Sequence, residues 1–496
     1  MRCWSARESM PSVVPDLSDG LCARLREAFL TAGYTADGVL DVLGSQAHAA
    51  LGRGEPEPAR RATRDAGALG TLIRLFLLGD AEPEPAIRAA LGPAGLDEAV
   101  AATVVTADGR AGLDIRPYED SWWVVADLDS ELRGGAVPAD HVLGVGHASI
   151  SLARATARRP VGTLLDLGTG CGVQALHASS HARTVTATDV SARALALARG
   201  TFRLNELDVE LVEGEWFEPV RGRRFDQVVC NPPFVVGPAR VDYTYRDSGL
   251  AGDDASAMIV RQVPTYLAEG GVGQLLASWL HRKGEDWADR VRSWLPGGVD
   301  AWFVQRDIAD PALYVGTWLR DAGIDPRSPE GQAKAGAWLD WFAANEVEGV
   351  GFGYVTLRRT DTAEVEVVCE DLRHAYDDPL GPEAARWLDN VAWLRDHDKT
   401  LLETRFTVPP TVVLEEVSSA SEDGWEPVVR RLHRMDGPGW QHEVDEPTAK
   451  LLAGCRGALP LEDLLALLEY AYGGLDTDAA LPIIRDLVRH GMLAPV

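Results

Sequence analysis

The run Leu164-Leu-Asp-Leu-Gly-Thr-Gly-Cys-Gly172 sets three glycines at alternate positions directly after a short apolar stretch. Glycine takes up the left-handed backbone a tight turn needs and lets a ligand approach the main chain without meeting a Cβ. An apolar run, a glycine turn and then a helical pattern is the opening step of a parallel α/β sheet. The sequence around it keeps that rhythm. Strands are predicted at Thr163–Leu167, Thr184–Asp189, Glu210–Glu213, Gln227–Cys230, Val272–Ser278, Ala301–Val304 and Gly351–Leu357. Helices fit between them at Val173–Ser179, Ala192–Leu204, Ala255–Ala268 and Trp287–Trp294. The last strand follows a long helical insertion, Pro311–Asn345, and is free to enter the sheet antiparallel. Residues 140–360 are expected to form an α/β, Rossmann-like, seven-stranded sheet covered by helices.

A dinucleotide fingerprint needs G-x-G-x-x-G, so that a pyrophosphate sits on a helix N-terminus. Here the spacing is G-x-G-x-G, with Asp166 two residues ahead of Gly168. That pattern fits S-adenosylmethionine, whose methionine end carries an ammonium for a carboxylate to attract. Asp166, Gly168, Thr169, Gly170 and Gly172 are the candidate residues for this end, the alternative being a plain turn between strand and helix. Asp189 closes the second strand, where a carboxylate accepts both hydroxyls of an adenosine ribose; the alternative is a cap for the helix beginning at Ser191-Ala-Arg-Ala. Val212-Glu-Gly-Glu-Trp-Phe217 ends the third strand. Glu215 is placed to accept from the adenine amine, with Trp216 or Phe217 packing nearby, against the reading of a solvated loop acid.

At the end of the fourth strand stands Asn231-Pro-Pro-Phe234. Pro232 and Pro233 fix φ, remove donors and present their carbonyls rigidly. The nitrogen lone pair of an amide or aryl amine is delocalised and must be turned toward a methyl donor. The Asn231 side-chain oxygen and the Pro232 carbonyl can each accept one N–H, which orients the amine and favours its pyramidal transition state. Phe234 offers an aromatic face to a flat substrate.

Taken together, these motifs resemble the class I S-adenosylmethionine-dependent methyltransferases of the small-methyltransferase superfamily, and among them the HemK/PrmC type, which methylates glutamine in translation release factors. The resemblance implies that Asp166, Gly168, Gly170 and Gly172 hold the methionine part and Asp189 the ribose. Gly214-Glu-Trp-Phe217 would match the family's third-strand motif, and residues 231–234 would hold the substrate amide. It covers under a third of the chain. Phe234 stands where Tyr is commoner, and the family lacks the long C-terminal extension seen here. The same Asn-Pro-Pro motif serves enzymes acting on adenine N6 or guanine N2, so the implied cofactor and reaction are firmer than the acceptor. His147 in Gly144-Val-Gly-His-Ala-Ser149 could line the cofactor mouth or simply start a helix. Tyr243, Tyr245 and Arg246 follow the Asn-Pro-Pro loop, where substrate-facing residues usually sit.

The remaining sequence is expected to form modules on either side. The chain has 496 residues, enough for about three domains. Residues 15–135 read as three short helices and a β-hairpin (Gly112–Asp127, turning near Glu119-Asp120), the order of a winged helix, but without a basic face. Residues 361–442 read as an acidic α+β segment with a helix at Glu383–Leu394 and strands near Val408–Val417 and Glu426–His433. Residues 443–496 read as a second winged-helix-like unit with helices Leu461–Tyr470 and Ala479–His490. The formal net charge is −27, with eighteen acidic against eight basic residues between 361 and 442. So acidic a surface disfavours broad phosphate-backbone binding and tilts the expected macromolecular acceptor toward a protein glutamine. An exocyclic amine of RNA or DNA is the alternative, and a cofactor-sensing winged-helix regulator a further one. Six cysteines fall in no metal spacing, and no window is apolar enough to span a bilayer. The N-terminal segment has no apolar core of a secretory signal, and Met10 is a possible start. A cytoplasmic, metal-free enzyme is expected; nothing in the sequence sets its oligomeric state.

Overall fold

The computed structural model describes residues 14–119, 121–129, 138, 140–238, 248–373, 380–422, 424–473 and 477–496. The chain divides into two compact units. One comprises the chain up to Leu152, Pro160–Pro296 and Asp307–Arg359; the other comprises Ala153–Arg159, Gly297–Arg306 and Thr360–Val496.

The first unit opens with α1 (Asp19–Ala32), α2 (Ala36–Leu51), α3 (Glu57–Ala62), α4 (Gly67–Leu72), α5 (Glu84–Leu91) and α6 (Pro93–Ala101). Ser18 begins α1 by accepting from the Leu21 amide, and Gly33 ends it at φ +72°. Leu21, Leu25 and Phe29 bury one face of it at helical spacing. A hairpin of β1 (Asp114–Tyr118) and β2 (Trp122–Ala126) follows, turning at Glu119 as predicted; Asp120 lies outside the described residues. Among the described residues six helices precede the hairpin where three were expected, and α4 runs on into a π-helical turn, Ile73–Leu77. These helices do not close a core of their own. Leu25, Phe29, Phe76 and Trp123 share one buried cluster with Cys171, Val173, Leu176, Ala194, Leu197 and Leu204, which flank and follow the glycine turn.

The strands that follow are β3 (Val161–Leu167), β4 (Ala182–Asp189), β5 (Glu210–Glu213), β6 (Phe225–Cys230), β7 (Leu267–Arg282), β8 (Val299–Ala309), β9 (Val347–Arg359) and β10 (Val367–Asp371). In the first unit they lie in the order β5-β4-β3-β6-β7-β9. All neighbours are parallel except β7 and β9, which run antiparallel, the option the sequence left open. Six strands of the expected seven thus stand in this unit. The remaining one, predicted at Ala301–Val304, is part of β8, and Gly297–Arg306 belongs to the second unit. The helical insertion is two helices, Pro311–Asp321 and Pro329–Ala344, whose aromatics pack with Val236, Leu280 and Val350.

In the second unit β8 pairs in parallel with β10. A helix spans Gly381–Asp396, and a long hairpin pairs Val412–Ser421 with Gly424–Arg434. Its core stacks Trp302 on Trp387 and holds the buried Arg434 against Glu383 at 2.7 Å. Helices Glu446–Gly454, Leu461–Tyr472 and Thr477–Arg489 surround a small sheet. Its middle strand, Arg405–Thr407, comes from upstream of 443 and lies between Arg456–Pro460 and Ala494–Pro495. The expected boundary at 443 therefore cuts through one sheet. Among the described residues no helix is long and apolar enough to cross a membrane.

Candidate active site

The sheet register brings the predicted motifs to one end. Leu167 is the register partner of Thr188 on one side and of Cys230 on the other, so Gly168 and Asn231 leave adjacent strands side by side. Asp189 is likewise level with Glu213. β3 lies between β4 and β6, where the connections depart in opposite directions, and in open α/β sheets the ligand crevice forms at the carboxyl ends of such strands.

The glycine turn is held from within. The amides of Gly168 and Thr169 donate to the Thr188 carbonyl at 2.9 and 2.8 Å, and the Gly172 amide donates to the Thr169 carbonyl at 2.9 Å. Gly168, Gly170 and Gly172 have φ of +74°, +56° and +89°. Their reasons for being glycine differ. A Cβ on Gly168 or Gly170 would meet nothing within 4 Å, so these two keep a face of the turn open, whereas a Cβ on Gly172 would stand 2.8 Å from the Phe202 ring.

Asp166 is fully buried at the end of β3. Its Oδ2 accepts from the Thr169 hydroxyl at 2.7 Å and from the Ala175 amide at 3.0 Å. Its Oδ1, equally buried, has no hydrogen-bond partner. Burial pushes this carboxyl up to about 7, against the lowering effect of its two donors. A buried acceptor without a donor costs about 1–3 kcal/mol, and an ammonium supplies the missing donor together with a compensating charge. That orphaned oxygen beside an open glycine turn fits the methionine end of S-adenosylmethionine.

Asp189 accepts from the Gly170 amide through Oδ2 and from the Ser191 amide through Oδ1, both at 2.9 Å. Burial raises its carboxyl above the ordinary range. The cap of the helix Ala192–Leu204 is Ser191, which accepts from the Ala194 amide, so Asp189 is not needed for that purpose. The Gly214 amide donates to the Asp189 carbonyl at 3.0 Å and fastens the third strand end to the second. Beyond it Glu215 is exposed and Trp216 half-buried in a left-handed backbone (φ +48°). Phe217 goes to the core, stacked 4.4 Å from Tyr266.

Asn231 is half-buried, and its Nδ2 donates to the Ser149 hydroxyl at 3.3 Å. This bond uses the amide nitrogen and leaves Oδ1 as the acceptor. Ser149 is itself tied by its carbonyl to Gln174 Nε2, on the helix after the glycine turn, at 2.8 Å. Pro232 is buried, Pro233 half-buried, and Phe234 packs 5.2 Å from Phe352 of β9. The Val236 amide donates to the Tyr314 hydroxyl of the insertion at 2.7 Å. Cys171 and Cys230 adjoin the motifs, but burial pushes the Cys171 thiol up to about 12 and the Cys230 thiol well above its ordinary value, so neither serves as a nucleophile.

His147 is exposed at the first position of the helix His147–Ala155, in agreement with the helix-start reading. Tyr243, Tyr245 and Arg246 lie outside the described residues. Ser149 and Tyr314 were not identified from sequence. Ser149 stands two residues beyond His147 in a segment already singled out, whereas Tyr314 lies some 80 residues from its partner and carried no local signal.

The fold and site together define a Rossmann-like, S-adenosylmethionine-dependent methyltransferase domain. Residues 144–275 match the family model of the methyltransferase small domain. Residues 31–116 and 385–495 match two families described as domains of unknown function, DUF7059 and DUF7782. A ribosomal RNA small subunit methyltransferase C from Alcanivorax borkumensis is 32% identical over 117 residues, covering 24% of this chain and 32% of that protein. The protein of the same name from Cronobacter sakazakii is 30% identical over 164 residues, 32% of this chain and 44% of that protein. The chain thus spans less than half the length of these curated relatives. A T. Thermophilus 16S rRNA N2 methyltransferase, solved with AdoMet and guanosine, covers 35% of this chain and 42% of its own at 19% identity, with a TM-score of 0.24. The likeness holds at the level of the methyltransferase small domain, and the relatives named here do not support the narrower HemK/PrmC assignment.

Proposed function

We propose that this protein methylates an exocyclic amine of RNA, guanine N2 or adenine N6, with small-subunit ribosomal RNA the favoured substrate. The observation that carries the reaction type is the placement of Asn231-Pro-Pro-Phe234 beside the glycine turn, with Asn231 Nδ2 held by Ser149. The nucleic-acid acceptor is favoured by the two ribosomal RNA methyltransferases similar to the catalytic segment. That support displaces the expected preference for a protein glutamine.

S-Adenosylmethionine, when bound, supplies an electrophilic methyl group on a sulfonium sulfur. Asp166 Oδ1 receives the ammonium of its methionine end, and the Asp189 carboxylate takes the ribose hydroxyls. Asn231 Oδ1 and the Pro232 carbonyl each accept one N–H of the acceptor amine, turning its lone pair out of conjugation and toward the methyl. Phe234 stacks on the flat base. The methylated nitrogen is acidic and gives its proton to water, so no strong protein base is required.

The test supplies labelled cofactor to the protein with intact small ribosomal subunits and, separately, with their extracted RNA and proteins. Label released by nuclease and migrating with N2-methylguanosine or N6-methyladenosine supports the proposal. Label that follows protein through nuclease and is lost to protease sinks it in favour of a glutamine acceptor, the reading that the acidic 361–496 region favours.

A further inference from the structure

The catalytic motifs leave unexplained why a set of helices and a hairpin precede the methyltransferase domain and share its core. Strand β2 pairs on one edge with β1; its other edge is closed by side chains of the helix Ala192–Leu204 and of Asn205, which caps its end. Asn205 Oδ1 accepts from the Trp123 amide at 3.0 Å, and its Nδ2 donates at 2.7 Å to the Trp123 carbonyl. Asn205 thus pairs with one residue of β2 as a neighbouring strand would. Thr201, fully buried one helical turn earlier, accepts from the Val125 amide at 3.0 Å. The single proton of that hydroxyl goes to the Cys171 carbonyl at 2.8 Å. Cys171 lies between Gly170 and Gly172. β2 in turn is anchored to the N-terminal helices: the Trp123 indole donates to the Tyr34 carbonyl at 2.7 Å, and its rings lie 5.8 Å from Phe29.

We propose that the N-terminal module is a brace for the cofactor turn, acting through the relay Val125 N–H, Thr201 hydroxyl, Cys171 carbonyl, with Thr201 as its positioning residue. A hydroxyl that accepts from an amide donates more strongly to the next group, so a seated hairpin tightens the hold on Cys171. The turn has open space at Gly168 and Gly170, and its cofactor-facing side is therefore shaped by what fastens it from behind: Thr188, Asp189, Phe202 and Thr201. Because coupling between two sites is reciprocal, occupancy of the turn should equally steady β2. This inference rests on the reading of the glycine turn as the S-adenosylmethionine site.

The test uses the full chain and two readouts. Calorimetry with S-adenosylmethionine compares wild type, Thr201→Val and Thr201→Ser. Removing the relay in the valine variant should raise Kd about tenfold, while serine, which keeps the hydroxyl, should stay within about threefold. In turnover the valine variant should raise the KM for cofactor and leave kcat at saturating cofactor near wild type. Hydrogen exchange should show the Val125 amide better protected when cofactor is bound to wild type, with the increment lost in Thr201→Val. If the valine variant fails to fold, Asn205→Asp replaces it: it keeps an acceptor for Trp123 and loses the donor, and should raise Kd about threefold. A folded variant with wild-type Kd, or exchange at 122–126 indifferent to cofactor, overturns the brace alone. Wild-type protein that does not bind the cofactor overturns the site reading and the brace with it.

Discussion

The two halves of the site are built on different physics. The glycine turn is fixed by hydrogen bonds from its own neighbours: the Thr188 carbonyl, the Asp189 carboxylate, the Asp166 carboxylate and the Thr201 hydroxyl. The Asn231-Pro-Pro-Phe234 tip is fixed chiefly by packing against distant elements, with the Asn231–Ser149 bond at 3.3 Å and the Val236–Tyr314 bond as its polar ties. The first half draws its bonds from Asp166 and from residues that follow it in the chain, of which Thr201 also meets β2. The second depends on an insertion more than 70 residues downstream.

The contrast can be broken or sharpened by measurement. The largest effect is expected from Asn231→Ala, which should lower the transfer rate by about 10²–10³-fold while cofactor Kd stays within about twofold. Equal losses in rate and cofactor affinity would show that the two halves are not separable. Asp189→Ala removes a half-buried carboxylate and the acceptor for Gly170, and should raise cofactor Kd about 10–100-fold by calorimetry.

The pH dependence isolates Asp166. Its carboxyl is lifted from an ordinary 3.8 to about 7, and the ammonium needs the ionised form. Cofactor affinity should therefore fall about tenfold per unit as pH drops below 7, and Asp166→Asn should abolish that slope. In the free protein the sign is opposite. An acid whose folded value is raised favours the fold at low pH, so its contribution to stability declines as pH rises from about 4 to about 7. Thermal unfolding of wild type against Asp166→Asn checks this: the asparagine variant should gain on wild type across that window. The smallest effect is expected for Tyr314→Phe, a loss of about three- to tenfold in kcat/KM for the acceptor with cofactor Kd unchanged. An unaltered kcat/KM would return the tip to a purely local device.

The same division governs what could be read in advance. The strands and glycine turn were legible because an apolar run, a turn that demands positive φ and a helix cap are local signals; Ala192–Leu204 and Glu210–Glu213 fall where they were predicted. Strand β10 was missed because Val367–Asp371 is half polar and becomes a strand through its pairing with β8. The N-terminal module was read as a separate winged helix because its apolar faces are visible in sequence while their partners are not. Nothing near Thr201 or Asn205 signals that their side chains complete the edge of a strand some 80 residues earlier. The site divides likewise: Asp166, Gly168, Gly170, Asp189 and Asn231 are local motif residues, and Tyr314 acts across the fold.

The antiparallel pairing of β7 with β9, from Val272–Arg358 to Arg282–Val347, has a consequence for how the chain is made. β7 leaves the ribosome about 65 residues before its partner. At cellular translation speeds of about 5–20 residues per second, its apolar edge waits roughly 3–13 s for β9. During that interval it is an open template for pairing with other chains. Expression at lower temperature or with added chaperone should therefore raise the yield of soluble full-length protein, and chains truncated before Val347 should aggregate.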